Sequence, residues 1–144
     1  MSEVRLLRAD DIAAVAALCQ QIFRDPKVPP PASLAAYLQR FYLDMPGSDP
    51  EIGPLVHIDA AGAITGFIGA NALPMRLGDR ELRAAICGCL MVKDHDGDPM
   101  AGARLLRAFL SGPQDISFSE TASEVTARMW VSQRGVELAN YSLD

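Results

Sequence analysis

At 144 residues and 49% hydrophobic, the chain has the length of one ordinary domain and enough apolar residues for a continuous core without staples. Its formal charge of −5, from 18 acidic and 13 basic residues, is spread along the sequence without a basic block, which argues against nucleic acid or a membrane surface as partner. The most apolar early run, residues 12–19, is too short to span a bilayer and follows Asp10 and Asp11 where a signal peptide carries positive charge, so a cytoplasmic protein is expected.

Residues 4–7 form a short apolar run, and beyond Asp10 and Asp11 the side chains Ile12, Val15, Cys19, Ile22 and Phe23 recur at helical spacing. That predicts strand, cap and amphipathic helix. Pro26, Pro29, Pro30 and Pro31 stop the helix near Arg24 and make a stiff loop. Ser33 is the expected N-cap of a second helix with the stripe Leu34, Tyr37, Leu38 and Phe41, ending before the turn-rich segment 45–54. The period then changes to two. Residues 55–59 and 64–73 read as a hairpin about a turn at 60–62, with Gly66 and Gly69 marking a bulge or a close approach. A tight turn over 76–80, with Gly78 at positive φ, leads into a third antiparallel strand over 82–92. Its stretch 84–92 holds no charged side chain, which predicts a central strand covered on both faces. Cys87 and Cys89, two residues apart on one face of that strand, and Cys19 read as reduced, buried thiols; C-G-C with no second cysteine pair is a weak zinc signal.

Residues 94–98 are an acidic turn, Pro99 suits the first position of a helix, and Leu105, Leu106, Phe109 and Leu110 give that helix its apolar face. Gly112 and Pro113 end it. Ile116 and Phe118 alternate in a short strand, Ser123 caps a helix carrying Ala127, Met129 and Trp130, Gly135 is the expected C-cap, and residues 136–143 alternate as a final strand. The element order describes one domain: a mixed, mostly antiparallel α/β sheet with helices on both faces. A strand emptying into a helix N-terminus offers backbone N–H groups and the positive dipole end to an anion. Asp94, His95, Asp96 and Asp98 suggest a calcium loop, but glycine precedes the third aspartate and the twelfth position, Leu105, is no glutamate, so no metal is expected. His57, beside Val56 and Ile58, has no companion at ligand spacing and reads as structural or surface.

The order of elements around this central strand–turn–helix resembles the GNAT N-acetyltransferase superfamily over nearly the whole chain. The segments LMV at 90–92, LLRAFLSGPQDISFSETAS at 105–123 and RMW at 128–130 are similar to a bacterial subfamily in which such a domain begins a longer polypeptide. The resemblance implies acetyl-CoA as co-substrate and an amine as acceptor. It also implies a splayed central strand, where the Leu90 amide would polarise the acetyl carbonyl as an oxyanion hole does and the Val92 amide would hold pantetheine. The pyrophosphate cradle of the superfamily, an Arg or Gln followed by closely spaced glycines, falls on Gly97, Asp98, Pro99, Met100, Ala101 and Gly102. Here the chain departs from the pattern: Gly97 replaces the basic or amide side chain, Pro99 removes an N–H, and Met100 stands where backbone should approach phosphate. A carboxylate such as Asp98 at ~4 Å from phosphate costs about 1 kcal/mol in water and about 4 at a surface-like dielectric, roughly ten- to a thousandfold in affinity. Lys93, Arg104 and Arg107 are the cations able to offset it.

Ser123 and Trp130 match positions where many members carry an asparagine and a thiolate-protonating tyrosine; an indole N–H does not ionise usefully, so Trp130 reads as core, and Tyr141 is the nearest tyrosine in sequence. Glu120, expected to face the cleft as a partly buried carboxylate, is the preferred general base, ahead of Asn71 and Glu81; an exposed glutamate is the alternative. Superfamily members usually have one more strand after the one ending here near Leu143, which implies a longer chain or a partner, such as a second copy, at an edge bearing Val136, Leu138 and Tyr141. Two functions follow: an acetyl-CoA-dependent N-acetyltransferase acting by direct attack of a primary amine, or a module of that fold that has lost CoA chemistry and serves in assembly or peptide binding. The acceptor has no recognisable signature, although net negative charge favours a cationic one.

Overall fold

The computed structural model describes residues 1–93 and 96–138. Among these, the chain runs β1 (Glu3–Leu6), a 3-10 turn, α1 (Ile12–Phe23), α2 (Ala32–Tyr42), β2 (Leu55–Ile58), β3 (Ile64–Leu77), β4 (Arg80–Val92), α3 (Ala101–Leu110), β5 (Ile116–Ser119) and α4 (Glu124–Ser132). The strands form one sheet in the order β1-β2-β3-β4-β5; neighbours are antiparallel except β4 and β5, which are parallel. No helix among the described residues is long and apolar enough to cross a membrane.

Helices α1 and α2 cover one face of the sheet, where Val15, Leu18, Leu34 and Leu38 pack on Val56, Phe67 and Met91. On the other face Leu105, Leu106 and Phe109 of α3, with Met129 and Trp130 of α4, pack on Ile68, Ala70, Ala85 and Cys87. Strands β3 and β4 are therefore enclosed on both sides along their middle, as an uncharged run requires. Phe67 is fully buried, and truncating such a side chain to alanine typically costs about 3–5 kcal/mol.

The start of α1 is fixed by Asp11, whose carboxylate accepts two hydrogen bonds from Arg5 (2.7 and 3.0 Å) and one from the Arg8 N–H (2.8 Å). Several boundaries differ from expectation. Helix α2 begins at Ala32 with Pro31 as N-cap, because the Pro31 carbonyl already accepts the Leu34 N–H at 3.0 Å, so Ser33 lies inside the helix. Of its stripe, Leu34 and Leu38 are buried while Tyr37 is exposed and stacks on Phe41. Strand β3 runs four residues further than expected, to Leu77, and turns at Gly78 with φ +60°. Helix α3 starts at Ala101 instead of Pro99, since Asp98 and Met100 first close a local turn of their own. After α4 the left-handed residue is Arg134 (φ 70°); Gly135 serves for close approach, as a Cβ there would meet the Trp130 carbonyl oxygen at 2.8 Å. Residues 136–138 are not in a strand, and the rest of the expected final strand, with Tyr141 and the proposed dimer edge, lies outside the described residues.

Candidate functional site

The site forms where β4 loses one of its neighbours. Strand β5 pairs with Ala84, Ala85, Ile86 and Cys87 and stops at Ser119, so the edge of β4 from Gly88 to Val92 faces a gap whose far wall begins at Glu120. On the β3 side, Leu90 lies opposite Ile68 but Cys87 lies opposite Ala70, so Gly88 and Cys89 together face Gly69. This is a one-residue bulge on β4.

The bulge decides which backbone groups enter the gap, because N–H and C=O groups alternate sides along an antiparallel strand. Before it, the Arg83 N–H donates to the Asp115 carboxylate and the Arg83 carbonyl accepts the Asp115 N–H, both at 2.8 Å, so odd-numbered residues point toward β5. After it, the Lys93 N–H donates to the Thr65 carbonyl of β3 at 2.7 Å. Odd-numbered residues now point toward β3, which turns the backbone groups of Leu90 and Val92 toward the gap. The bulge also places Cys87 in the core under α3 and Cys89 against the core under α1 and α2. The expectation that both cysteines share a face is corrected: the extra residue reverses the alternation between them. Both thiols are free, and burial pushes Cys87 up to about 12 and Cys89 up to about 11.

On the far wall Glu120 is exposed, not partly buried as expected, because β5 has ended one residue earlier, at Ser119. Ser123 caps α4: its Oγ accepts the Thr126 N–H at 3.3 Å and lies 3.0 Å from the Thr126 hydroxyl. Trp130 packs edge-on against Phe109 with centroids 6.0 Å apart, and its buried indole N–H has no partner among the described residues. It is half-buried and packs against the core under α3.

Of the turn, Asp94 and His95 lie outside the described residues. Gly97 is exposed, and so is Met100, which is 55% accessible. The Asp98 carboxylate sits at the N-terminus of α3, accepting the Met100 N–H at 3.3 Å, while the Ala101 N–H donates to the Asp98 carbonyl at 3.2 Å. Arg104, on the first turns of α3, reaches back to form an ion pair with the same carboxylate. Of the three cations named as able to offset Asp98, Arg104 therefore does so, while Lys93 and Arg107 are exposed. Gly102 packs on the flank of the site; a Cβ there would find Met129, Val92 and Leu90 at 3.5–4.0 Å, ordinary contact, so packing alone does not require glycine.

Beneath this pair lies His57 of β2, only 1% exposed, with Nδ1 2.9 Å from the Thr65 hydroxyl and Nε2 3.5 Å from Arg104 and 3.6 Å from Asp98. Burial, then the Arg104 charge, holds the imidazole below its ordinary range against the opposing pull of Asp98 and Asp59. The sequence reading of His57 without companions missed this cluster, which only the adjacency of β2 and the start of α3 creates.

Tyr42 was also missed. It ends α2 with its hydroxyl over the bulge, so close that a Cβ on Gly69 would lie 2.3 Å from it and one on Gly88 3.4 Å. Asn71, one of the weaker base candidates, lines a hollow of about 150 Å3 with Tyr42, and its amide nitrogen can donate to the Phe41 and Ala70 carbonyls, each at 3.2 Å. Glu81 stands far from the gap, at the β3–β4 hairpin, on the rim of a larger hollow of about 650 Å3. There Arg83 bridges Asp49 at 2.7 Å and Glu51 at 2.9 Å.

No known family model matches the sequence, and no curated protein matches it. Solved structures do match, and what they show is the fold: the chain has the fold of the GNAT acetyltransferases. It is similar to a ribosomal-protein-alanine N-acetyltransferase from Brucella melitensis biovar Abortus 2308 at 20% identity and TM-score 0.67, covering 100% of this chain and 96% of that one. Glucosamine-6-phosphate N-acetyltransferase from Arabidopsis thaliana matches at 12% identity and TM-score 0.68, over 100% and 95%. AAC(6')-Iy in complex with the bisubstrate analogue CoA-S-monomethyl-acetylneamine matches at 13% identity and TM-score 0.68, over 100% and 96%. At these identities the fold is what is shared.

Proposed function

We propose that the chain is an acetyl-CoA-dependent N-acetyltransferase, passing the acetyl group to a primary amine by direct attack in a ternary complex. The observation that carries this reading is the open edge of β4, where Leu90 and Val92 present backbone groups to the gap left beyond the end of β5. An extended pantetheine arm fits that gap as an added strand would, held by Val92, with the thioester oxygen at the Leu90 N–H. The amine lone pair attacks the carbonyl carbon, and charge gathers on the oxygen facing that N–H. The C–S bond then breaks, the sulfur leaves with the electron pair and takes a proton from solvent, and the ammonium proton passes to Glu120 or to water. Gly97, Met100, Ala101 and Gly102 would lie along the pyrophosphate and Ser123 beside the arm. The free thiols Cys19, Cys87 and Cys89 support a reducing, cytoplasmic setting. Titration calorimetry with acetyl-CoA tests the reading: heat of binding is expected, and none at millimolar ligand would overturn it.

One observation favours a second reading, a module of this fold without CoA chemistry that serves in assembly or peptide binding. Asp98 already fills the N-terminus of α3 where the pyrophosphate would lie. Tight CoA binding by a chain that stays monomeric at all concentrations in sedimentation would remove it.

A further inference from the structure

Stretch 84–92 of β4 is apolar on both faces, and a strand of that kind does not specify its own register. Sliding the segment after Cys87 by one residue would exchange Leu90 and Met91 between two apolar cores at little cost in side-chain polarity. It would also turn the Leu90 and Val92 N–H groups into the β3 ladder and present Cys89 and Met91 to the gap in their place. Something outside the strand must hold the offset.

Tyr42 is placed to do so. Its ring is pinned edge-on between Phe41 (centroids 4.9 Å, planes at 83°) and the fully buried Phe67 (5.3 Å, 72°). Its hydroxyl rests on the two glycines that face each other across the bulge, Gly69 and Gly88, and it shares one apolar cluster with Cys89. Any side chain at Gly69 would collide with the phenol, and in the slipped register Cys89 would turn away from it. Ring, two glycines and thiol thus fit one another only while Gly88 and Cys89 share Gly69 as their partner.

We propose that Tyr42 is a positioning residue: its ring, wedged against Gly69, locks the one-residue bulge in β4 and so aims the Leu90 and Val92 N–H groups into the gap. The lock is a property of the fold; its value for acetyl transfer rests on the function proposed above. Amide hydrogen exchange by NMR on the intact chain reads it directly. In the parent protein the Met91 and Lys93 N–H groups are expected to be protected and those of Leu90 and Val92 to exchange at least tenfold faster. Tyr42→Ala is expected to erase or invert that alternation and Tyr42→Phe, which keeps the ring, to preserve it. Gly69→Ala attacks the same lock from β3 and should disturb the same four amides, and it decides the matter if Tyr42→Ala does not fold.

With acetyl-CoA, Tyr42→Ala should lower kcat at least tenfold and weaken CoA binding as well, because Val92 turns away together with Leu90, and Tyr42→Phe should restore both. A parent-like exchange pattern in Tyr42→Ala, or in Gly69→Ala where that variant decides, would overturn the lock. The absence of acetyl-CoA binding by the parent chain would overturn the proposed function and leave the exchange test standing.

Discussion

The two halves of the strand–turn–helix face opposite ways chemically. From Gly88 to Val92 the groups left open toward the gap are backbone N–H and C=O, fixed by register and indifferent to whether the side chain is Leu, Met or Val. From Asp96 to Gly102 the offering depends on side chains, and there Asp98 and Arg104 have already paired with each other over the start of α3. A site built of backbone tolerates sequence drift so long as its geometry is held, whereas a site built of side chains changes its charge with one substitution. The comparison predicts that the halves can be broken separately.

The largest effect should come from the strand. Leu90→Pro deletes the N–H that the proposed function sets against the thioester oxygen, and because that N–H faces the gap and not β3, the ladder loses no bond. Acetyl transfer is expected to fall about 10²–10³-fold, the range for loss of an oxyanion donor, while Leu90→Ala, which keeps the N–H, stays near the parent rate. Equal losses in both would mean that side-chain packing, and not the amide, is what matters.

Next comes the turn. Asp98→Asn keeps an acceptor for the Met100 N–H but removes the charge and frees Arg104. CoA should then bind about ten- to a thousandfold more tightly, the span set by ~1–4 kcal/mol of relieved repulsion. Acetyl-pantetheine, which lacks the pyrophosphate and uses the strand half alone, should bind as before. Tightening of both ligands, or of neither, would break the division into halves.

How much of this was legible in sequence follows the same line. The hairpins, the central uncharged strand and the helix faces were readable because period and charge write them directly, and the departures in the cradle were readable because they are substitutions at known spacing. The bulge was not: residues 84–92 are apolar at every position, so alternation carries no mark of an extra residue, and Cys87 and Cys89 look like neighbours on one face. Tyr42 was hidden behind Tyr37, which has the better helical spacing yet lies exposed. The Asp98–Arg104–His57 cluster joins positions far apart in the chain, and Glu120 looked half-buried only because β5 was not known to stop at Ser119.

A smaller effect tests the far wall of the gap. Ser123→Ala removes the cap on α4 and should cost about 1 kcal/mol of stability in denaturant unfolding. Affinity for acetyl-CoA should not move, because the hydroxyl is committed to Thr126. A CoA affinity that falls with the cap would make Ser123 a ligand as well and extend the site across the gap.

The smallest effect is a slope with pH, and it should touch the turn alone. His57 Nδ1 lies 2.9 Å from the Thr65 hydroxyl and Nε2 3.5 Å from Arg104, so protonation puts a positive imidazolium against that guanidinium in a buried place. The groups facing it are Arg104, Asp98 and Asp59, and burial with Arg104 outweighs the two carboxylates, so the folded-state pKa is lowered. A lowered histidine pKa means the unfolded chain takes up the proton first. Stability should therefore be flat above about pH 6.5 and decline below it, by less than the ~1.4 kcal/mol per pH unit that one proton allows, until the folded-state pKa is passed. His57→Gln, which cannot titrate, should flatten that decline, measured as Tm against pH between about 5 and 7. Over the same range acetyl-pantetheine binding should stay constant, because no group on the open edge of β4 titrates there; an unchanged slope in the Gln variant would show that His57 is not the source of the acid sensitivity.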